Sequence, residues 1–349
     1  MKARRPTALD VAKLAGVSRS AVSMVLNGHA DGNVAPEAQS RIRAAAAELD
    51  YTPHPVAVSL RNQRSLTLGI VTDEIVSSPF AGKVVSGASS AAAERGYLVV
   101  VADSDRHPER EQELIAELVR RRMDGIIYAT GALRTLDVPS GLLSQPAALA
   151  NCRDAQGRLP GVVPAEVEGG QAAAAHLISL GHRRLAMAAG DDNDAGPERV
   201  VGYRRAVSAA GLPEGTVLEA GWEVDDGYAA AARLLGGSPE ERPTGIVCAN
   251  DRVAVGVMLY AARHGISVPD ELSVIGYDDQ QHLAAHLVPS LTTVALPHAE
   301  MGAAAAGLLL DALEGRPAAG PRGGAGAGAP LIRVPCPLVV RASTAPPRT

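Results

Sequence analysis

From Thr7 to Leu49 apolar residues recur at helical spacing in short runs split by turn signals; from Leu66 onward continuous apolar runs alternate with longer amphipathic ones. The opening run, T-A-L-D-V-A-K-L-A-G-V-S-R-S-A-V-S-M-V-L-N, reads as two short helices joined by a tight turn. Thr7 suits an N-cap, and Asp10 stands three residues on, where its carboxylate answers first-turn amides. Val11, Leu14 and Ala15 supply an apolar face. Gly16 ends the helix because it tolerates a left-handed backbone, and Val17 fills the gap between the helices. Ser18 caps the second helix, whose Val22, Val25 and Leu26 point inward and leave Arg19, Ser20, Ser23 and Met24 outside. A third helix is expected from about Pro36 to Leu49, with Ile42, Ala45, Ala46 and Leu49 on one face.

The second pattern has the strand-like runs L-T-L-G-I-V-T, Y-L-V-V-V-A-D and D-G-I-I-Y-A, with helices around Ala81–Arg95 and Glu109–Arg122 between them. A similar set follows: a helix near Gly169–Leu180, R-L-A-M-A-A-G, a helix after Pro197, G-I-V-C-A-N, a helix at Val253–His264, and L-S-V-I-G-Y-D. Apolar strands joined by amphipathic crossovers predict parallel sheets covered on both faces, and two sets predict two Rossmann-like lobes with a cleft between them. Residues Pro317–Pro330 are low-complexity and read as a surface loop; no strand leads into their glycines and no helix follows, so they are not a nucleotide fingerprint.

Charge sharpens this division. Residues 1–64 hold nine Lys/Arg against five acids, a balance of +4 in a chain of net −5, so the remainder carries −9. A basic head on an acidic body suits a nucleic-acid-binding module joined to one that binds something else. No apolar run reaches membrane-spanning length and no hydrophobic core follows M-K-A-R-R-P-T, so a cytoplasmic protein is expected, with no membrane partner. Cys152, Cys248 and Cys336 lack metal-ligand spacing. His282 and His286 lie four apart, but H-L-A-A-H has no adjoining glutamate and no evident third ligand. There is no nucleophile elbow and no P-loop, and neither an enzyme nor a cofactor is expected.

L-D-V-A-K-L-A-G-V-S with V-S-M-V-L-N, then V-A-P-E-A-Q-S-R-I, A-A-A-E-L-D-Y-T-P and V-A-V-S-L, resembles the opening of lactose-repressor (LacI/GalR-type) transcription regulators. L-G-H-R-R-L-A, A-N-D-R-V-A-V-G and S-V-I-G-Y-D-D extend the resemblance to that family's effector domain. It implies an all-α helix-turn-helix DNA-binding domain (1–53), a hinge (54–64) and a two-lobed α/β periplasmic-binding-protein-like domain (65–349). Lobe 1 is expected over 65–161 and 293–320 and lobe 2 over 162–292 and 321–342, with crossings near Val162, Thr292 and after Glu314. The tail lacks the leucine-heptad helix of tetrameric relatives, so a homodimer on double-stranded operator DNA is expected.

Carried over by position, Arg19 and Ser20 read base edges, and Met24, where the lactose repressor has arginine, meets at most a thymine methyl. Thr7, Ser18, Ser23 and Asn27 are expected on phosphates. His54, Ala57 and Leu60 belong to the hinge that folds on the operator, with Leu60 as the minor-groove wedge. In the cleft, Phe80, Asn151, Arg199, Trp222, Asn250 and Asp278 fall at effector positions: aromatic faces for sugar edges, polar groups for hydroxyls. Leu296 and Pro164 replace a glutamine and a phenylalanine of the lactose repressor, implying a different ligand. The alternative is a two-lobed solute-binding protein without a regulatory role.

Overall fold

The computed structural model describes residues 6–28, 30–52, 64–74, 80–191, 193–316 and 328–348. The chain forms two compact units, Met1–Leu66 and Thr67–Thr349.

The first unit holds α1 (Ala8–Ala15), α2 (Arg19–Leu26) and α3 (Pro36–Glu48). Thr7 stands at the N-cap of α1, with its backbone N–H and its hydroxyl both donating to Asp10 Oδ2 (2.9 and 2.7 Å). Gly16 closes α1 at φ 66°, a left-handed conformation that costs a side-chain-bearing residue. Ser18 Oγ then accepts from the Ala21 N–H (3.1 Å) and starts α2 two residues later. Val11, Ala12, Ala15, Val22, Val25, Ile42, Ala45 and Ala46 form the core, with Val17, Leu26 and Leu49 packed against it. Leu14 does not join them: it is 48% exposed, because Ala12 rather than Leu14 occupies the inward stripe with Val11 and Ala15.

The second unit is built from two six-stranded sheets. The first contains β1 (Thr67–Thr72), β2 (Leu98–Asp103), β3 (Gly125–Leu136), β4 (Ala147–Asp154), β5 (Gly161–Pro164) and β11 (Leu331–Val334), in the order β11-β5-β4-β3-β1-β2, all parallel. The second contains β6 (Leu185–Ala189), β7 (Thr216–Glu219), β8 (Gly245–Cys248), β9 (Ser273–Asp278), β10 (Thr292–Ala295) and β12 (Leu338–Val339). Its order is β12-β10-β9-β8-β6-β7, and only β12 runs antiparallel. The crossings therefore lie beyond the expected points. Val162 sits in β5 of lobe 1, Thr292 in β10 of lobe 2, and residues 331–334, expected in lobe 2, are still in lobe 1, because each crossing strand first completes its sheet's hydrogen-bond ladder. β2 is an edge strand rather than a doubly covered one, with Leu98 65% exposed.

Helices α4 (Ala81–Glu94), α5 (Pro108–Arg120), α6 (Glu166–Ser179), α7 (Ala195–Ala209), α8 (Val224–Leu235), α9 (Asp251–Arg263) and α10 (His298–Leu313) cover the sheets. α8 and α10 were not expected. In α10 the run M-G-A-A-A-A-G-L-L-L is apolar almost all round, so no amphipathic period marks it, and it buries against α4 and lobe 1 strands. Three helix pairs meet through reciprocal glycines. A Cβ on Gly87 would strike the Ala299 carbonyl and one on Gly302 that of Val84, joining α4 to α10. Gly170 and Gly202 do the same for α6 and α7, as Gly227 and Gly256 do for α8 and α9. At the α6–α7 contact the atoms against Gly170 are the backbone of Arg199, so this close approach sets where that arginine stands.

Candidate functional sites

In the first unit the exposed side chains at the start of α2 are Ser18, Arg19 and Ser20, while Ser23, Met24 and Asn27 are half-buried along it. Arg19 makes no hydrogen bond or ion pair among the described residues, so its guanidinium is available to an outside partner. Ser18 Oγ is engaged as the cap, and Asn27 Nδ2 donates to the Ser23 carbonyl (2.6 Å) and Oγ (3.3 Å), tying those two residues together. Thr7 is exposed beside α1. His54, Ala57 and Leu60 lie outside the described residues.

In the second unit a cavity of about 350 Å³ opens between the lobes, at the carboxyl ends of the strands, where open parallel sheets bind ligands. Phe80, Asn151, Arg199, Trp222, Asn250 and Asp278 all line it, although they are scattered over nearly 200 positions of the chain. Beside it Leu133, Val163 and Leu331 of lobe 1 pack on Ala195 and Trp222 of lobe 2. Thr135 Oγ1 donates to Asp194 Oδ2 (2.6 Å) across the same seam.

The buried centre is Arg199 on α7. Its Nε and Nη2 donate to both carboxylate oxygens of Glu166, the first residue of α6 (2.8 and 2.9 Å), and Nη1 donates to the Ala249 carbonyl. Its Cζ lies 3.6 Å from the Tyr277 ring centroid and 5.7 Å from that of Trp222. Burial acts against the charge, but Glu166 overcomes it and Arg199 stays cationic. Asp278 is only 3.7 Å from Arg199 Nη2 and does not share in that fork. Burial pushes its carboxyl well above the usual carboxylate range, with the Arg199 charge pulling the other way. Both Asn151 (φ 59°) and Asp278 (φ 107°) have left-handed backbones, strain of the kind that gathers at ligand sites.

The amides are partly committed inside the protein. Asn250 Oδ1 caps α9 by accepting from the Val253 N–H (2.8 Å), while its Nδ2 donates to the Trp222 carbonyl (2.9 Å). Asn151 Nδ2 donates to the Thr130 carbonyl (2.9 Å), bracing the register shift in β3. Gly190 leaves the space that the Trp222 ring fills.

Sequence reasoning missed several lining groups: Asp73, Glu74, Glu166, Arg252 and His298. Asp73 follows β1 and accepts from the Gly131 N–H (2.8 Å), and burial raises its pKa. His298 opens α10 and stacks on Phe80 (centroids 4.9 Å apart, planes 12°). Burial pushes its imidazole down to about 4, with the Lys83 and Arg199 charges acting in the same direction. The position of Asp73 at the end of a strand was a usable signal; His298 gave none, because its helix was not seen. Among the described residues no cluster of three or more His, Cys, Asp or Glu is arranged to hold a metal, and no helix is long and apolar enough to cross a membrane. All three cysteines are buried and free.

Comparison with known proteins matches residues 7–54 to the model of bacterial regulatory proteins of the lacI family, and residues 174–344 to a periplasmic binding protein-like domain. The HTH-type transcriptional regulator DegA of Bacillus subtilis (strain 168) is 35% identical over 86% of this chain and 89% of its own length. The HTH-type transcriptional repressor PurR of Vibrio parahaemolyticus is 33% identical over 88% of this chain and 92% of its own length. Among solved structures, the Lac repressor dimer bound to operator and the anti-inducer ONPF aligns with a TM-score of 0.77 at 26% identity, covering 98% of this chain and all of its own. The CelR–cellobiose complex aligns with a TM-score of 0.66 at 30% identity, covering 97% of this chain and all of its own. With the helix-turn-helix at its head and a two-lobed cleft in its body, this chain belongs to the LacI family of bacterial regulatory proteins and is a DNA-binding transcription regulator.

Proposed function

We propose that this protein is a ligand-controlled transcription repressor, acting in the cytoplasm as a homodimer and without catalysis, whose cleft takes a small polar metabolite of the sugar class. The observation that carries this is the convergence of six separated effector-position residues on one cavity in a chain that also bears a helix-turn-helix. The relatives named repressors and the cellobiose complex of CelR support the class of mechanism. On the DNA side, Arg19 and Ser20 read base edges, Met24 touches a thymine methyl, and Thr7, Ser18, Ser23 and Asn27 face phosphates. His54, Ala57 and Leu60 form the hinge, with Leu60 as the wedge that bends the duplex. On the ligand side, Phe80 and Trp222 offer ring faces, and Asp278 and Asn151 offer polar atoms. Arg199 and Asn250 hold those groups in place. A two-fold protein doubles a site too short to be specific by itself, and the exposed apolar edge strand β2 supports a dimer surface borne on the second unit.

The experiment is a gel shift on the DNA upstream of the protein's own gene, with and without a metabolite panel. A specific shift altered by one member is expected. A protein that binds a sugar and no DNA would support the solute-binding alternative instead.

A further inference from the structure

Beyond Ala129 the register between β3 and β4 shifts, and the two strands continue as a short extension in which Thr135 lies opposite Arg153 and Leu136 opposite Asp154. Thr130 Oγ1 donates to the Asn151 carbonyl (2.8 Å), and Asn151 Nδ2 donates to that of Thr130, which fixes the irregularity beside the cavity. A shift of this kind re-aims the side chains beyond it. Here they meet the start of α7 on the other lobe. Thr135 Oγ1 donates to Asp194 Oδ2, the Asp194 N–H donates to the Leu133 carbonyl (3.1 Å), and Arg153 Nη2 donates to Glu198 Oε1 (2.5 Å). Asp194 and Glu198 lie four apart, on one face of the helix.

Arg153 and Glu198 do not line the cavity, but each is tied to a residue that does. Arg153 follows Asn151 by two positions on β4, on the same face of the strand, and Glu198 immediately precedes Arg199 on α7. Their side chains are 19% and 24% exposed, so water competes less for this pair than for a surface bridge. Between the two polar ties, Ala195 packs with Leu133 in a cluster that also holds Trp222.

We propose that Arg153 and Glu198 are positioning residues, a latch outside the cavity that holds the Arg199 wall of lobe 2 against the Asn151 wall of lobe 1 and sets the width of the cleft before any ligand arrives. The latch is a property of the ligand-free protein and goes beyond the reading of the cleft as an effector site. Under that reading, a ligand that fits a different lobe spacing must first break the pair, and its preference for that spacing is reduced accordingly.

The test is hydrogen exchange in the full-length, ligand-free protein, followed at the Asp194 amide, whose N–H crosses the seam. Glu198→Arg sets two guanidiniums against each other and is expected to speed that exchange about ten-fold. Adding Arg153→Glu restores an ion pair of reversed sense and is expected to return the rate to within about two-fold of the wild type. The amides of Ile127 and Val247, inside the two sheets, should keep their rates, and fluorescence of Trp222, the chain's one tryptophan, should follow Asp194. If Glu198→Arg does not fold, Glu198→Gln carries the test, with an expected effect of about three-fold. An unchanged Asp194 rate overturns the inference, and so does a reversed pair that exchanges as fast as the single variant. Faster exchange at all three amides overturns it too, since the pair is then a general stabilising contact. An opened seam that leaves operator affinity unmoved keeps the latch and counts instead against control of DNA binding by the lobes.

Discussion

Arg19 stands exposed on the first turn of α2 with no partner among the described residues, whereas Arg199 is buried on α7 between Glu166, the Ala249 carbonyl and the Tyr277 ring. The same guanidinium does different physical work in the two settings. Water solvates Arg19 until a partner replaces it, so its loss subtracts a contact and leaves the fold alone. Arg199 has already exchanged water for Glu166, and its loss would strand a buried carboxylate. In the proposed reading Arg19 acts at the surface as an uncommitted group, while Ser18, Ser23 and Asn27 beside it are already hydrogen-bonded within the head. Recognition in the cleft is built from committed ones that hold the few remaining free atoms in place.

The largest effect expected from this contrast is on stability. Arg199→Ala should cost about 3–5 kcal/mol in denaturant unfolding of the second unit, because Glu166 and Asp278 lose their cation in a buried site. Combining it with Glu166→Leu should recover part of that loss, since only Asp278 is then left without its cation. An unchanged unfolding midpoint for Arg199→Ala would break the comparison.

A second test uses pH. His298 has its folded pKa depressed to about 4 against an ordinary 6.5, so between these values the unfolded chain binds the proton and the folded protein does not. Stability then falls as pH drops through that window, by up to about 3 kcal/mol. Asp251, hydrogen-bonded by Thr293 Oγ1 (2.6 Å) and the Gln280 N–H (2.7 Å), is raised by burial to about 6 and acts with the opposite sign, adding stability as pH falls from 6 towards 4. His298→Phe removes only the first contribution. The melting temperature of the variant should therefore gain on that of the wild type as pH is lowered from 7 to 4.5; a constant gap would contradict a buried neutral imidazole.

The smallest effect belongs to the head. Arg19→Ala should cost about 1–3 kcal/mol of DNA affinity, concentrated at one base pair, with the melting temperature unmoved. Equal loss on every sequence would make Arg19 a phosphate contact.

The two regions were also unequally legible. The head is local: Thr7, Gly16 and Ser18 mark their own caps and turn within a dozen residues, and periodicity placed all three helices. Leu14 was misplaced because a short helix with several alanines allows two apolar stripes. The cleft residues could be named only through the family resemblance, and the structure brought them together. What stayed hidden was what they do to each other. Nothing local ties Glu166 to Arg199, a contact made by the glycine-locked crossing of α6 and α7. His298 was hidden with its helix, since an all-apolar run carries no period. Lobe boundaries were misplaced because strand composition does not say which of two similar sheets a crossing strand completes.

In the proposed function, occupation of the cleft and occupation of the head are coupled. The most direct measurement is the ligand dissociation constant, read from Trp222 fluorescence with and without saturating operator DNA, set beside the operator dissociation constant with and without saturating ligand. Coupling is reciprocal, so the two ratios must agree, and values on the order of 5–150-fold are expected for this kind of switch. Ratios of one in both directions, with tight binding of each partner, would contradict the account.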